Sequence, residues 1–519
     1  MVSIVNTSLT EEGSCERNWK VVAVQKKLDA SEQEIAELTE KLERLKLAHC
    51  RLKEELNATA SPILSLPAEI LVEIFLLFCD LQKKEPSKLV LQHPPAFVIG
   101  SVCRAWRRLV WSTPRMWGTL AITFCPLRIK IQNELLQEWI ERSQNTMLSV
   151  YLFSEYPEEH EGVIEDEDDD GMHGYYEPPA ETFAILCSAS DRWRVLHTPA
   201  FLRLRERLAS GGVRAPVLRD LDFSVCATDH HNGVRSVKWD LSGSSMVREV
   251  NLRLWSHEGL GVQWQGVTHV ELSMKLSSML HILLGSKNME SCIIKQPPYR
   301  NIGNAFDINL TKTYTCLPNL TSLSFATEPY VVSALLAYIS APNLKYFSLE
   351  LANAQTSWMT ETLEFLKRSS CALTDFVVSN FEDCDFTRLL PYLKTVNRFS
   401  LCGGDAILNH LSGHLLEALT PSNNPNFLPN LEELVLEGTL KASIDKISNM
   451  IKSRLAPPPP EDDMTPIRQI QHVHIKYDNV SWSRTINPNR LQKFYLELAI
   501  LSSTTGASLN VQWSERQTF

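Results

Sequence analysis

A chain of 519 residues, 44% of them apolar, has room for about three average domains and can bury a core without disulfide or metal staples. Its net charge of −10 disfavours a general nucleic-acid binder, whose hold on phosphates needs a basic surface. Twelve cysteines stand singly from Cys15 to Cys402 with no CxxC spacing, which suits reduced thiols in a cytosolic or nuclear protein better than a zinc or disulfide framework.

Residues 1–20 lack the basic and apolar regions of a secretory signal and are expected to be disordered. From Val21 the apolar residues recur in heptads: Val21, Leu28, Ile35, Leu42 and Leu56 at one position, Val24, Leu38, Leu45 and Leu52 at the other. That is a coiled-coil seam, and it predicts a helix over 21–60. Ser31 and His49 interrupt it. Of the flanking charges, Lys27 and Glu32 are complementary while Lys41 and Lys46 are alike. Self-association through residues 21–56 and a helix packed back on its own chain are both open at this point. Pro62 ends the segment, because it cannot donate to the helical ladder.

The stretch PILSLPAEILVEIFLLFCD follows. Pro67 suits a first helical turn and Glu69 and Glu73 suit the positive end of the dipole, so a helix from about Pro67 to Cys79 is expected. The same two acids interrupt the greasiest stretch of the chain, so no run is long enough to span a membrane. Ile70, Ile74 and Leu77 follow helical spacing, while Leu71, Phe75 and Phe78 follow a second, adjacent stripe. Such a helix must be covered on more than one side. After a polar insert, Val102, Cys103, Trp106, Leu109 and Val110 form another apolar face, with Arg104, Arg107 and Arg108 on the wet side. Thr113 and Pro114 end that helix before Trp117. A unit of about 55 residues buries too little surface to cover three such helices. Part of its apolar face is therefore expected to await a partner.

These residues resemble the F-box, whose pattern opens with LPxEIxxxIF and closes with VCRxWRxL followed by Pro and Trp. Leu66, Pro67, Glu69, Ile70, Ile74, Phe75, Val102, Cys103, Arg104, Trp106, Arg107, Leu109, Pro114 and Trp117 carry the match. The departures are the insert Gln82 to Pro95, longer than the minimal loop, and Gly100, an unhelpful residue inside a helix. The resemblance implies an F-box over 62–120 whose helices pack on a Skp-type adaptor and through it on a cullin. It implies adaptor contacts at Leu66, Pro67, Ile70, Leu71, Ile74, Phe75, Val102, Cys103 and Trp106. About half of these are expected to face the adaptor, with Trp106 serving inside the module. The function implied is that of a non-catalytic substrate-receptor subunit of an SCF-type cullin-RING ubiquitin ligase, with no cofactor, no metal and an unknown protein substrate. The alternative is a scaffold that holds the adaptor without driving ubiquitin transfer.

Over 121–154 a similarity to fungal F-box proteins implies a connecting helix that ends at Trp139–Ser143 and a strand over Leu148–Phe153. Residues 155–179 hold an acidic run and three prolines and are expected to be a solvated linker. Within them Asp166, Asp168, Asp170, Gly171 and Glu177 satisfy a calcium-loop template. Pro178-Pro179 leaves no exit for the helix that such a loop needs, so the template is set aside. His230-His231 and His472-x-His474 are set aside as metal sites for want of neighbouring ligands.

Over 180–519 a motif recurs, apolar-x-x-apolar-x-apolar. It comprises Leu218/Leu221/Phe223, Val247/Val250/Leu252, Val267/Val270/Leu272, Leu320/Leu323/Phe325, Leu344/Phe347/Leu349, Leu373/Phe376/Val378, Val396/Phe399/Leu401, Leu431/Leu434/Leu436 and Ile470/Val473/Ile475, with a weaker copy at Met289/Cys292/Ile294. Helical sequence often intervenes, and starts fall about 20 to 40 residues apart, as when one strand and one helix make a stacking unit. CLPNL, APNLK and LPNLE precede three of the strands. This resembles leucine-rich repeats, although the Asn or Cys expected three residues beyond is met by Cys226 alone. The fold class expected is α/β: a long N-terminal helix, a three-helix F-box and an irregular leucine-rich-repeat-like solenoid of parallel strands backed by helices. An ordinary α/β domain is the alternative. The polyproline stretch Pro457 to Asp463 is expected to be a surface loop. The order of modules is similar to that of a large family of fungal F-box proteins.

Overall fold

In the computed structural model the heptads lie on one helix, α1 (Thr10–Ala60). The structure describes residues 10–82, 94–154, 176–224, 237–254, 256–296, 314–352, 358–380, 386–402, 410–411, 413–421, 428–440, 444–456, 467–478 and 488–514. Cys226, His230, His231, Trp255, the run Asp166 to Gly171 and Pro457 to Asp463 lie outside them. The start of α1 corrects the expectation of a disordered N-terminus over 1–20, since helix continues back to Thr10. Once a helix is nucleated, each added residue brings a further backbone hydrogen bond at small cost. Val21, Val24, Leu28, Ile35, Leu38, Leu42, Leu45, Leu52 and Leu56 are each 50–65% exposed. Among the described residues of its own unit, nothing covers the seam along its length.

The chain divides into two compact units, residues 1–85 with 92–116 and residues 86–91 with 117–519. The first holds α1 followed by three shorter helices: α2 (Ala68–Gln82), α3 (Pro95–Val102) and α4 (Arg104–Ser112).

The second unit is built on one parallel sheet. Its strands are β1 (Thr119–Phe124), β2 (Leu148–Ser154), β3 (Trp193–Pro199), β4 (Asp220–Ser224), β5 (Glu249–Arg253), β6 (His269–Ser273) and β7 (Ser291–Lys295). After them come β9 (Ser322–Thr327), β11 (Tyr346–Leu351), β12 (Asp375–Ser379), β13 (Arg398–Cys402), β15 (Glu433–Leu440), β16 (His472–Asp478) and β17 (Ser508–Ser514). Each lies beside the next in chain order, and the short β14 (His410–Leu411) adds to β15. Two further short strands, β8 (Thr315–Cys316) and β10 (Ile339–Ser340), pair separately. Strands placed in sequence order, with helices such as Pro329–Leu336 and Trp358–Ser369 crossing between them, make a solenoid-like stack in which each repeat meets its neighbours.

The sheet begins at Thr119, so residues 121–154 are its first repeats and not merely a connection. The helix Ile129–Ser143 returns the chain from β1 to β2. Trp139 on that helix donates its indole N–H to the Trp117 carbonyl at 2.7 Å, with the two rings 4.9 Å apart.

All the expected motif residues are in place. None of those from Leu218 to Ile475 named above is more than 3% exposed. The register stacks like on like: Leu323, Phe347, Phe376, Phe399, Leu434 and Val473 form one row, and Phe325, Leu349, Val378, Leu401, Leu436 and Ile475 the next. The first residue of the motif is held by a turn. The N–H groups of Leu320, Leu344 and Leu431 donate to the carbonyls of Leu317, Ala341 and Leu428 at 3.2–3.3 Å. Proline suits the second place of such a turn because its φ is preset. The asparagine beside it reaches back to the preceding repeat: Asn343 donates to the Pro318 carbonyl at 2.7 Å and Asn430 to that of Lys394 at 2.9 Å. That accounts for the recurring Pro-Asn-Leu.

Alternate strand residues face away from this core. There His197 Nε2 lies 3.1 Å from Asp220 Oδ2, Tyr151 packs edge-on to the imidazole at 4.9 Å, and Asn251 donates to Asp222 Oδ2 at 2.9 Å. Burial pulls the His197 pKa down, but the hydrogen bond and charge of Asp220, with Asp222 and Glu249, outweigh it and hold the value above the usual 6.5. Because the folded value is the higher, the stabilisation from this pair is complete below the unfolded pKa and is lost as pH rises through the folded one. An NMR titration of His197 is expected to show a midpoint above 6.5 that moves down in Asp220→Asn. A midpoint unmoved by that substitution would contradict the pairing.

Candidate functional site

The helical module of the first unit carries the residues singled out as binding candidates. Its α2 follows Pro67, whose carbonyl accepts from Ile70 N–H and Leu71 N–H at 3.1 Å, and Glu69 stands in the first turn. The α2 helix presents two stripes with different fates. Leu71, Phe75 and Cys79, four residues apart, are 5, 3 and 9% exposed, and the Phe75 ring lies 4.7 Å from that of Trp106 on α4. Ile70, Ile74, Leu77 and Phe78 are 50, 41, 64 and 39% exposed.

The expected single face running from Val102 to Val110 is broken. Cys103 is extended (φ −154°, ψ 168°), ends α3 and caps α4, its Sγ accepting from Trp106 N–H at 3.5 Å. Arg107 bridges the break by donating from Nε to the Gly100 carbonyl at 2.9 Å. Gly100 is a packing necessity, because a Cβ there would sit 2.3 Å from the Trp111 ring. Gly100→Ala is therefore expected to cost about 1–3 kcal/mol by overpacking, despite alanine's better helix propensity. Denaturant unfolding of the chain measures it, and a gain in stability would contradict the contact.

Of the nine candidates, Leu66, Pro67, Ile70, Ile74 and Val102 are exposed, Cys103 and Trp106 are half-buried, and Leu71 and Phe75 are buried. The last two are covered by the chain itself, Phe75 against the Trp106 ring, so they are the least exposed of the nine. Leu66, Leu71, Trp106 and Leu109 line an open groove of about 560 Å³. Leu77 and Phe78, exposed by 64 and 39%, belong with the outer stripe of α2, and Val98 on α3 is 39% exposed; none of the three was among the candidates. The spacing of Leu77 from Ile70 and Ile74 carries that signal. The ion pairs at the surface, Glu73–Arg115 at 2.7 Å and Glu54–Arg104 at 3.0 Å, are exposed enough to add little stability.

The arrangement is one for binding. Among the described residues no group of three or more His, Cys, Asp or Glu is placed to hold a metal ion, and no helix is long and apolar enough to cross a membrane. At the calcium-loop template, Glu177 instead accepts from the N–H groups of Leu202 and Arg203 at 3.1 and 2.9 Å, capping the helix Leu202–Ala209. His474 Nε2 lies 3.2 Å from Glu437, and His472 is exposed.

What the fold and module define is a helical, partly uncovered apolar surface together with a mixed α/β unit built on a large parallel sheet. No protein-family model matches the chain, and no curated protein does.

Proposed function

We propose that the chain is a substrate-receptor subunit of an SCF-type cullin-RING ubiquitin ligase, acting in the cytoplasm or nucleus. The F-box-like module takes a Skp-type adaptor, and the second unit, an irregular leucine-rich-repeat-like solenoid in this reading, holds a target protein. The observation that carries the proposal is the set of large apolar side chains that the module leaves in water, Ile70, Ile74, Leu77 and Phe78 on α2 and Val102 on α3. A small helical module that keeps large aliphatic and aromatic side chains in water has them available as the few anchors that dominate an interface. The F-box resemblance implies adaptor contacts at Ile70, Ile74 and Val102 among these. The open sheet face, with half-buried His197, Asp222 and Asn251, offers polar groups for target recognition. Catalysis by this chain is not required: holding a target lysine beside a charged ubiquitin carrier raises its effective concentration.

The experiment is to mix the full chain with a purified Skp-type adaptor. A stable one-to-one complex on gel filtration is expected, and its failure to form with a chain folded by circular dichroism would remove the proposal.

A further inference from the structure

We infer that α1 binds a second copy of this chain as an antiparallel two-stranded coiled coil centred between Ala36 and Glu37. This inference does not depend on what the helical module binds. The seam of α1 is uncovered from Val21 to Leu56, and five heptads of it are long enough to pair. The charges beside the seam decide the direction.

In a parallel pair each residue before one core position faces the residue five further on in the other chain. Lys27 then meets Glu32 twice, but Lys41 meets Lys46 twice, so attraction and repulsion cancel. Ser31 and His49 would also each stack on their own copies, placing polar pairs in the seam. Reversing one helix brings like flanks together instead. With Ile35 opposite Leu38 of the second copy, Glu34 meets Lys41 and Lys20 meets Glu55, each twice by symmetry, and no like-charge pair is formed. Leu42 then covers Ser31, and Val24 covers His49. Shifting this antiparallel register by one heptad towards the N-terminus sets Lys27 against Lys41 and Glu34 against itself. A shift the other way sets Lys41 against itself.

The pairing would place the two Ala60 ends about 70 Å apart at 1.5 Å per residue, so the dimer carries its two helical modules at opposite ends of one rod.

The native full chain tests this directly. Within one helix Lys20 and Lys53 are about 50 Å apart, beyond an amine crosslinker, whereas in the antiparallel pair they stand at the same level. Sedimentation is expected to show a dimer, and crosslinking a mixture of light and isotope-labelled chains to join Lys20 of one to Lys53 of the other. Lys41→Glu is expected to weaken dimerisation roughly tenfold, because it sets carboxylates against Glu34 twice, and adding Glu34→Lys is expected to restore it. In a parallel dimer Lys41→Glu would instead tighten the pair. A monomer at every concentration, with the seam left for another polypeptide, overturns the inference, as do Lys20–Lys20 crosslinks.

Discussion

Ile70→Asp combined with Ile74→Asp is expected to lower affinity for a Skp-type adaptor by about a hundredfold or more while leaving the thermal midpoint of the chain nearly unchanged. Both side chains stand half in water, 50 and 41% exposed, so the free protein loses little by the exchange. In the complex each carboxylate would have to be buried against apolar surface or keep the interface open. An anchor position typically contributes about 2 kcal/mol, and two of them at about 1.4 kcal/mol per factor of ten give the expected loss. Phe75→Ala acts differently. Its ring is 3% exposed against Trp106, and its removal is expected to cost about 3–5 kcal/mol of stability, so lost binding there would report unfolding. Titration calorimetry beside circular dichroism separates the two, and a double aspartate variant that binds as tightly as the parent chain would sink the adaptor reading. In cells the double variant is expected to stabilise any target that the receptor delivers, whereas a mere scaffold would leave target levels unmoved.

Much of this surface was legible in the residues, and what was not has a physical cause. The stripes Ile70/Ile74 and Leu71/Phe75 both satisfy helical spacing, and nothing in a single helix says which one turns inward. That choice is made by Trp106, which meets Phe75 across thirty-one positions of chain. The break at Cys103 is hidden for a related reason, because a single extended residue leaves helical spacing on both sides of it almost intact.

In the second unit the motif strands were readable because the same rows of apolar residues recur, in register, through every repeat from β4 to β16. β3 escaped because Thr198 takes a place where the motif carries a large apolar residue. That threonine is 3% exposed, and its hydroxyl donates to the Pro199 carbonyl at 2.8 Å. A polar residue with its own local acceptor can occupy an apolar place at little cost, and pattern alone does not register it.

The other large effect is expected at Phe347. Its side chain is fully buried on β11, and its ring lies 6.4 Å from Phe325, 5.9 Å from Phe376 and 5.7 Å from Phe365 on the crossing helix, while Phe376 in turn stacks on Phe399 at 6.0 Å. These ring contacts join β9, β11, β12 and β13, with Phe347, Phe376 and Phe399 in one row and Phe325 reaching across from the next. Phe347→Ala removes their centre, and neighbours held by in-register strands on both sides have little freedom to close the gap, so a loss of about 3–5 kcal/mol is expected. In a stack where each repeat is stabilised chiefly by its neighbours, the loss should also weaken the coupling of the halves on either side. Denaturant unfolding is therefore expected to show a lower midpoint and a shallower or two-step transition. The control lies one residue along the same strand. Ser348 points to the opposite, open face, in register with Ser324 and Val377, and Ser348→Ala should change stability by no more than about 0.5 kcal/mol. Equal losses at the two positions would mean that both faces of the sheet are packed, leaving no open face for a target to use.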